Sequence, residues 1–464
     1  MERRSLLRLI APIVLVFGIV WGGTLLRWSA SNRVPSGVDI TVWLLVVPLG
    51  VLLGYAGLRK LAKARQHRAQ QTAQEEAPPP PASPTADPQL AYRLPLLAGS
   101  VRFAAGDTPA ALIAAAQSQR RVGLHPRLKD VRGLPVFAAE VADVDIDALA
   151  SSLDDADVFD EAQKRALWLA ESVLFPLLAD YLEELAPPPR STVDVQAPIL
   201  RIEWLLPARW SEAARQTAAA WLRRRLDAEG WPAARFSIGV QAVAAGHEVL
   251  GHLDALNIAF NEKAQTLPCL LLACDSHIDQ TDLMQLESGQ GLFSAQRPEG
   301  RLPGEGACAL CLVSPQSPLA AQAAGIHRWV TTRLPRPVDA PGRAQTATLS
   351  TLLQQAMRDG IPNPAFIMAD TDLRASRSSE ALQFANAALP EADPLQALLP
   401  LGQANGDAGL ALTLATVATA ASLALETGAP GLVLSHGDAS IRAMALVTPP
   451  APPAPAAAST PTLA

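Results

Sequence analysis

Hydrophobic residues form two kinds of pattern along this chain: long uncharged runs near the start, and shorter runs mixed with amphipathic segments further on. Residues 9–26 (LIAPIVLVFGIVWGGTLL) and 40–58 (ITVWLLVVPLGVLLGYAGL) carry no charge. Each run is long enough to span a bilayer, and lipid leaves backbone groups no partner outside the segment, so both are predicted to be transmembrane helices. A cleaved signal peptide is the alternative for the first run, but no convincing small-residue cleavage site follows it.

Positive charge flanks these two runs more heavily than it fills the loop between them. Three arginines precede the first run, two lie in the loop, and five Lys or Arg follow the second run up to residue 68. Cytoplasmic flanks carry the excess of Lys and Arg, so both termini and the globular part are predicted to be cytoplasmic, at a bacterial inner membrane. Four cysteines in 464 residues agree with a reducing compartment.

The rest of the chain divides into a linker, a folded part and a tail. Residues 69–90 are rich in proline and lack an apolar period, which predicts a semi-extended spacer. Residues 91–448 are predicted to fold, and the Pro/Ala-rich residues 449–464 to be disordered. Residues 69–464 contain 28 Lys/Arg and 42 Asp/Glu, and this acidic balance argues against nucleic acid as a partner.

Within the folded part, the patterns favour alternating helices and strands. Residues 160–185 and 211–229 have helical spacing, with Pro176 expected to bend or break the first and Ser211 to cap the second. Residues 408–427 are apolar on all sides and are predicted to be a buried helix rather than a third span. Short apolar runs predict strands at residues 198–206, 267–273, 307–313, 365–368, 431–434 and 441–447. This alternation indicates an α/β protein with layers.

Residues 270–313 (LLLACDSHIDQTDLMQLESGQGLFSAQRPEGRLPGEGACALCLV) resemble the middle of β-ketoacyl synthases. There a strand is followed by an Asp-Ser turn, a helix, a variable loop and a P-G-E-G/A-A strand, and PGEGACALCLV is the most specific part of the match. Residues 406–447 are similar to the end of a ketosynthase, and the likeness covers roughly 250 residues. It implies a thiolase-like αβαβα domain with two pseudo-repeated halves. The segments PCLLLACDSHID and PAFIMADTDLR are similar to each other, which agrees with such a repeat.

The resemblance also shows where the family's chemistry should lie, and each of those positions is changed. The nucleophilic Cys should fall within residues 242–247, which contain none. The first catalytic His belongs in residues 369–373, which read ADTDL, and Gln403 stands where the second His would be. Thioester exchange needs the thiolate and the imidazoles. We therefore predict a non-catalytic scaffold without catalytic, cofactor-binding or metal-binding residues, and no cofactor.

The whole chain is also similar to the cytoplasmic adaptor proteins of type VI secretion lipase effectors. The shared features are a membrane-proximal start, a proline-rich linker, and segments of the type HEVLGHLDALNIAFNEK and CDSHID. This likeness implies a protein partner, namely a secreted lipase effector or a component of the secretion spike. Because thiolase folds commonly pair through a sheet edge, the fold resemblance adds a homodimer to the expected assemblies.

Three local motifs invite sharper readings. His247 and His252 are five residues apart, whereas a zinc helix needs four. Cys308 and Cys311 lie in an apolar strand, so they are predicted to be buried thiols on opposite faces. Residues 275–279 (DSHID) are expected to form a strand-end turn rather than a hydrolase site.

Three functions remain open. The chain is a membrane-anchored adaptor, a diverged ketosynthase-like enzyme that transfers acyl groups, or a structural subunit of an envelope complex. The missing Cys and His favour the adaptor.

Overall fold

The computed structural model describes residues 21, 88–185, 199–231, 233–340, 346–358 and 360–450. Apart from Trp21, both predicted membrane runs lie outside the described residues, as do most of the predicted linker and tail. The chain divides into two compact units, Met1–Ala86 and Asp87–Ala464. The fold described below belongs to the second unit.

Strands and helices alternate through this unit. The strands are β1 (Arg93–Phe103), β2 (Leu124–Lys129), β3 (Pro135–Phe137), β4 (Leu200–Pro207), β5 (Phe236–Val243), β6 (Cys269–Ser276), β7 (Glu305–Leu312), β8 (Ala324–His327), β9 (Val330–Arg333), β10 (Phe366–Ala369), β11 (Leu398–Pro400), β12 (Gly431–Ser435) and β13 (Ile441–Thr448). The helices are α1 (Pro109–Gln117), α2 (Ile146–Ser152), α3 (Glu161–Leu185), α4 (Glu212–Ala228), α5 (Gly246–Asn261), α6 (Gln280–Ser288), α7 (Thr346–Ala356), α8 (Ala375–Ala388), α9 (Pro394–Ala397), α10 (Gly402–Asn405) and α11 (Gly409–Thr427).

One hydrogen-bonded sheet runs through both halves of the unit, in the order β11-β10-β12-β13-β8-β1-β7-β6-β4-β5, with β9 paired to β13. The resemblance predicted a separate sheet in each half. Here the short strand β8 joins them, because Ile326 pairs with Leu94 of β1 on one side and with Val447 of β13 on the other. The hairpin of β2 and β3 forms a small sheet of its own.

Buried side chains form three large clusters, which define the order of the layers. The central cluster holds α5 and α11 against both halves of the sheet, with Leu253 and Leu414 at 0–1% exposure. A second cluster packs α3 and α4 on the outer face of the first half, around Trp204. A third packs α7 and α8 on the outer face of the second half. This gives the predicted mixed α/β layers: helices, the first half of the sheet, the central helices, the second half of the sheet, and helices.

Helix α11 is the longest apolar helix of the fold. Among the described residues it alone is long and apolar enough to cross a membrane, and 78% of its apolar 18-residue stretch is buried inside the protein. Its residues contact strands of both halves through the central cluster. The prediction of a buried helix over residues 408–427 is therefore confirmed.

Local signals explain two further helices. Helix α4 begins after Ser211, whose hydroxyl accepts a hydrogen bond from Ala214 N at 3.1 Å, as the capping signal predicted. Helix α3 continues past Pro176, so of the two predicted outcomes, a bend or a break, the proline does not break the helix. Pro176 lies on the exposed face, where the carbonyl deprived of its helical hydrogen bond can be solvated.

Candidate functional site

A polar cavity of about 390 Å³ lies where several strands of both halves end. Asp275 at the end of β6 and Asp370 after β10 face it, together with the first residues of α5 and α11. The two echoed turns of the sequence, after LLLACDS and after FIMAD, therefore meet at one site. In open α/β sheets, ligands bind in crevices at the carboxyl ends of strands.

The N-terminus of α5 lies at this cavity and corresponds to the predicted place of the family's nucleophile. Helix α5 begins at Gly246 after Ala245, whose methyl group cannot accept a capping hydrogen bond. A Cβ on Gly246 would lie 2.3 Å from the hydroxyl oxygen of Thr413 on α11. Residue 246 is therefore held to glycine by the packing of the two central helices, and residues 242–247 contain no thiol or hydroxyl group.

All four cysteines lie outside residues 242–247, inside strands β6 and β7. Each is fully buried. Cys308 belongs to the central cluster and Cys311 to the outer cluster, so the prediction of opposite faces is confirmed. Burial raises the thiol pKa of Cys269, Cys274 and Cys308, which keeps these thiols protonated and unreactive.

On the first half of the sheet, an ion pair forms one wall of the cavity. The guanidinium of Arg209 donates to both carboxylate oxygens of Asp275, at 3.1 Å through Nη1 and more closely through Nη2, and to the carbonyl of Ser276 at 2.8 Å. Asp275 therefore pairs with the guanidinium of Arg209, whereas the sequence predicts that it bonds locally to the backbone of a strand-end turn. Ser276 does make the expected local bond, because its hydroxyl accepts from Ile278 N at 3.2 Å.

The wall from the second half of the sheet is also made of carboxylates with partners. Asp370 accepts hydrogen bonds from the Ser435 hydroxyl at 2.6 Å and from His436 N at 2.9 Å. Asp372 accepts from Arg374 Nε at 2.7 Å. Burial raises the pKa of Asp372 despite the opposing charge of Arg374. The ADTDL turn therefore presents carboxylates where the family presents an imidazole.

Asp407, beside α10, is a further carboxylate of the cavity. It accepts a hydrogen bond from Gly409 N at 3.1 Å. Burial alone would raise its pKa, but the positive charges of Arg301, His277 and Arg374 outweigh burial and lower it. Gln403, on α10 itself, is not among the residues that line the cavity; its carbonyl accepts from Val122 N at 2.9 Å.

His247 lines the cavity and has a ring nitrogen that forms no hydrogen bond to the described residues. It follows Gly246 in the first turn of α5, and its Nδ1 is buried without a hydrogen-bond partner among the described residues. Burial would raise the pKa of Asp438, another residue of the cavity lining, but hydrogen bonds from Ser440 N and Ile441 N outweigh burial and, with a smaller contribution from His247, lower it. His252 points elsewhere and contacts Glu203, so the two rings do not share a site.

A buried network behind the cavity wall was not found from the sequence. Thr371 Oγ1 lies 2.5 Å from His436 Nε2, and His436 Nδ1 lies 3.2 Å from Glu380 Oε2. Arg442 Nε donates to the same carboxylate oxygen at 2.9 Å. This His436 network has the order of a nucleophile, base and carboxylate. All four side chains are at most 1% exposed, so it is sealed from substrate. Thr371 and His436 directly follow the cavity residues Asp370 and Ser435 in the chain, and His436 N donates to Asp370 at 2.9 Å.

In the described part of the chain, no three His, Cys, Asp or Glu side chains are grouped so that they could hold a metal ion. The carboxylates around the cavity are instead occupied by arginines and backbone N–H groups. The cavity is therefore a polar, largely ion-paired pocket, and the residues at the N-terminus of α5 bring no thiol or hydroxyl group to it.

Comparison with known proteins yields structural likeness alone. No family model matches the sequence, and no curated protein matches it. Among solved structures, the ishigamide ketosynthase/chain length factor aligns with a TM-score of 0.52 and 15% identity over 78% of this chain and 100% of its own. The ketosynthase of module 6 of the bacillaene synthase of Bacillus subtilis 168 aligns at 0.54 and 12% identity over 78% and 72%. That of module 1 of the bacillaene synthase of Bacillus amyloliquefaciens FZB42 aligns at 0.53 and 11% identity over 80% and 76%. The chain therefore has a ketosynthase-like thiolase fold.

Proposed function

We propose that this chain is a diverged ketosynthase-like protein that has given up thioester chemistry and serves as a membrane-anchored adaptor for a protein partner. One observation carries the proposal: of the segments that resemble the catalytic segments of ketosynthases, residues 242–247 supply no thiol to the cavity and residues 369–373 supply no imidazole. An acyl-transferring enzyme of this fold needs a nucleophile at the helix terminus, where the dipole lowers its pKa.

The cavity walls also fit acyl groups poorly. Their charged side chains come in pairs, such as Arg209 with Asp275 and Arg374 with Asp372. Placing an acyl chain among them would desolvate charges without replacing their water. A scaffold that keeps its fold but loses such a site is suited to binding through its surface.

The partner and the anchor come from the sequence. Two uncharged apolar runs at residues 9–26 and 40–58 support an inner-membrane anchor with a cytoplasmic domain. The similarity to type VI lipase-effector adaptors supports a secreted lipase effector or spike component as the partner. This choice of partner rests on that sequence resemblance alone.

A second candidate function is acyl transfer by a relocated site. The structural likeness to ketosynthases supports this candidate rather than the adaptor. The cavity also holds two carboxyl groups whose pKa values are displaced in opposite directions, Asp372 upwards and Asp407 downwards. Such opposed pairs are typical of acid–base catalysis.

Affinity purification of the tagged full-length chain from its native bacterium tests the proposal. We expect a secreted effector or a spike component to co-purify with the full chain and not with tagged residues 1–86. Co-purification of acyl carrier protein would contradict the adaptor and favour the enzyme. An envelope complex recovered equally well with residues 1–86 would favour a structural membrane subunit.

A further inference from the structure

The hairpin of β2 and β3 presents large apolar side chains to solvent. Its inner face packs against α6, where Leu128 and Val136 join Ile278 and Leu283 in a small buried cluster. Its outer face and turn form what we call the hairpin surface, made of Leu124, Val131, Leu134 and Phe137, which are 59%, 69%, 52% and 37% exposed. Four of the eleven large apolar side chains that are exposed in the described part of the chain thus fall within 14 consecutive residues.

Cations surround this surface. Within residues 119–137 the only acidic residue is Asp130, and five basic residues are exposed: Arg120, Arg121, Arg127, Lys129 and Arg132. Three carboxylates oppose them, since Glu140 pairs with Arg127, Asp130 pairs with Arg132, and Glu287 accepts from Val131 N. The surface remains net positive, although residues 69–464 as a whole carry 14 more acidic than basic side chains.

We infer that the hairpin surface docks on an anionic lipid bilayer. Protruding Leu, Val and Phe gain free energy by entering the headgroup boundary, and Lys or Arg beside them are attracted to anionic headgroups. The same cations would repel a basic partner, and they would be attracted only weakly to a neutral one. Both halves of this chemistry occur together on the hairpin surface.

The rest of the chain favours a bilayer over a soluble acidic protein, and this step rests on the proposed membrane anchor. Residues 1–68 carry two uncharged runs and eight more basic than acidic residues. The 22 residues of the linker reach at most roughly 70 Å when extended like polyproline. A tether of that length keeps the domain at high effective concentration near the membrane.

A fluorescent label on the hairpin tests the inference in the full-length chain. All four native cysteines are buried in strands, so Val131→Cys introduces an accessible thiol for an environment-sensitive NBD probe. The chain is placed in nanodiscs of phosphatidylcholine alone or mixed with phosphatidylglycerol. We expect a blue shift and a several-fold rise in emission only in the anionic discs. The same label at Leu395→Cys, which is similarly exposed before β11, should give no change.

Two further measurements, one of them a charge reversal, distinguish docking on an anionic bilayer from docking on an acidic protein. Arg121→Glu with Lys129→Glu changes exposed side chains only, and it should abolish the rise in anionic discs. Identical emission from residue 131 in both kinds of disc overturns the inference. A rise that appears only on adding a co-purified acidic protein, whatever the lipid, assigns the surface to that protein and also overturns it.

Failure of the anchor gives a different signature from failure of the hairpin surface. If the chain does not enter nanodiscs, the proposed anchor is wrong. The labelled chain is then mixed with phosphatidylglycerol vesicles, where a blue shift at residue 131 still supports docking and unchanged emission rejects it.

Discussion

Replacing Glu305 by alanine is expected to lower the free energy of unfolding by about 3–5 kcal/mol. The Glu305 carboxylate is fully buried. It accepts hydrogen bonds from Arg165 Nε at 2.7 Å, from the Ser276 hydroxyl at 2.9 Å and from Val141 N at 2.7 Å. Alanine would leave the buried guanidinium of Arg165 without its main counter-charge. These contacts explain in physical terms why Glu occupies the third position of the PGEG motif.

Denaturant unfolding of the full-length chain in mild detergent measures this effect. Glu391→Ala, at an exposed loop position, is the matched control and should change the free energy by less than about 0.5 kcal/mol. Glu305→Leu combined with Arg165→Met removes both charges and should recover much of the loss. If Glu305→Ala were as stable as Glu391→Ala, the buried ion pair would not contribute as described.

Replacing Glu380 by glutamine should destabilise the protein at neutral pH and flatten its response to acid. Burial would raise the pKa of Glu380, but His436 and Arg442 outweigh burial and lower it. A lowered folded pKa means that Glu380 stabilises the fold above its unfolded pKa of about 4.3. That contribution is lost as pH falls through the folded pKa. The neutral amide also leaves Arg442 buried without its charge partner, which costs about 3 kcal/mol.

Unfolding curves measured between neutral pH and the acid limit of solubility check this second prediction. The wild-type protein should lose stability towards low pH more steeply than Glu380→Gln. Other carboxyl groups with a lowered pKa, such as that of Asp407, keep both proteins somewhat sensitive to acid. Glu391→Gln should follow the wild-type curve. Parallel curves for wild type and Glu380→Gln would show that the His436 network does not hold the carboxylate charged.

Short apolar runs were the sequence features that best anticipated the fold. Runs at residues 267–273 and 307–313 became β6 and β7, which are buried on both faces. The family resemblance supplied the layering, which periodicity could not. Residues 408–427 were assigned to the core rather than to the membrane because strands follow them, and α11 packs accordingly.

Other elements gave no usable signal. Strand β1 lies near the middle of the sheet, yet it contains Pro95 and Gly99, which break a strand pattern. Gly99 is required by packing, because a Cβ there would lie 2.8 Å from Ala418 of α11. Strand β8, which joins the two halves, has only four residues. Such features depend on contacts between segments far apart in sequence.

The candidate site divides in the same way. The changed positions around residues 242–247 and 369–373 could be located through the family motif, and both line the cavity. Gln403 could be aligned but lies outside the cavity wall. Arg209 and the His436 network were missed, because their partners lie about 60 residues away along the chain. No local spacing rule can pair such residues.

Exposure of the purified full-length chain to acyl and malonyl thioesters tests the central claim most directly. Intact-mass spectrometry after quenching shows whether an acyl group becomes attached, with an active ketosynthase as the positive control. The account predicts an unchanged mass and no thioester consumption above the buffer rate, since residues 242–247 bring no thiol to the cavity and all four cysteines are buried in strands. A stoichiometric acyl adduct, or turnover above that rate, would contradict it.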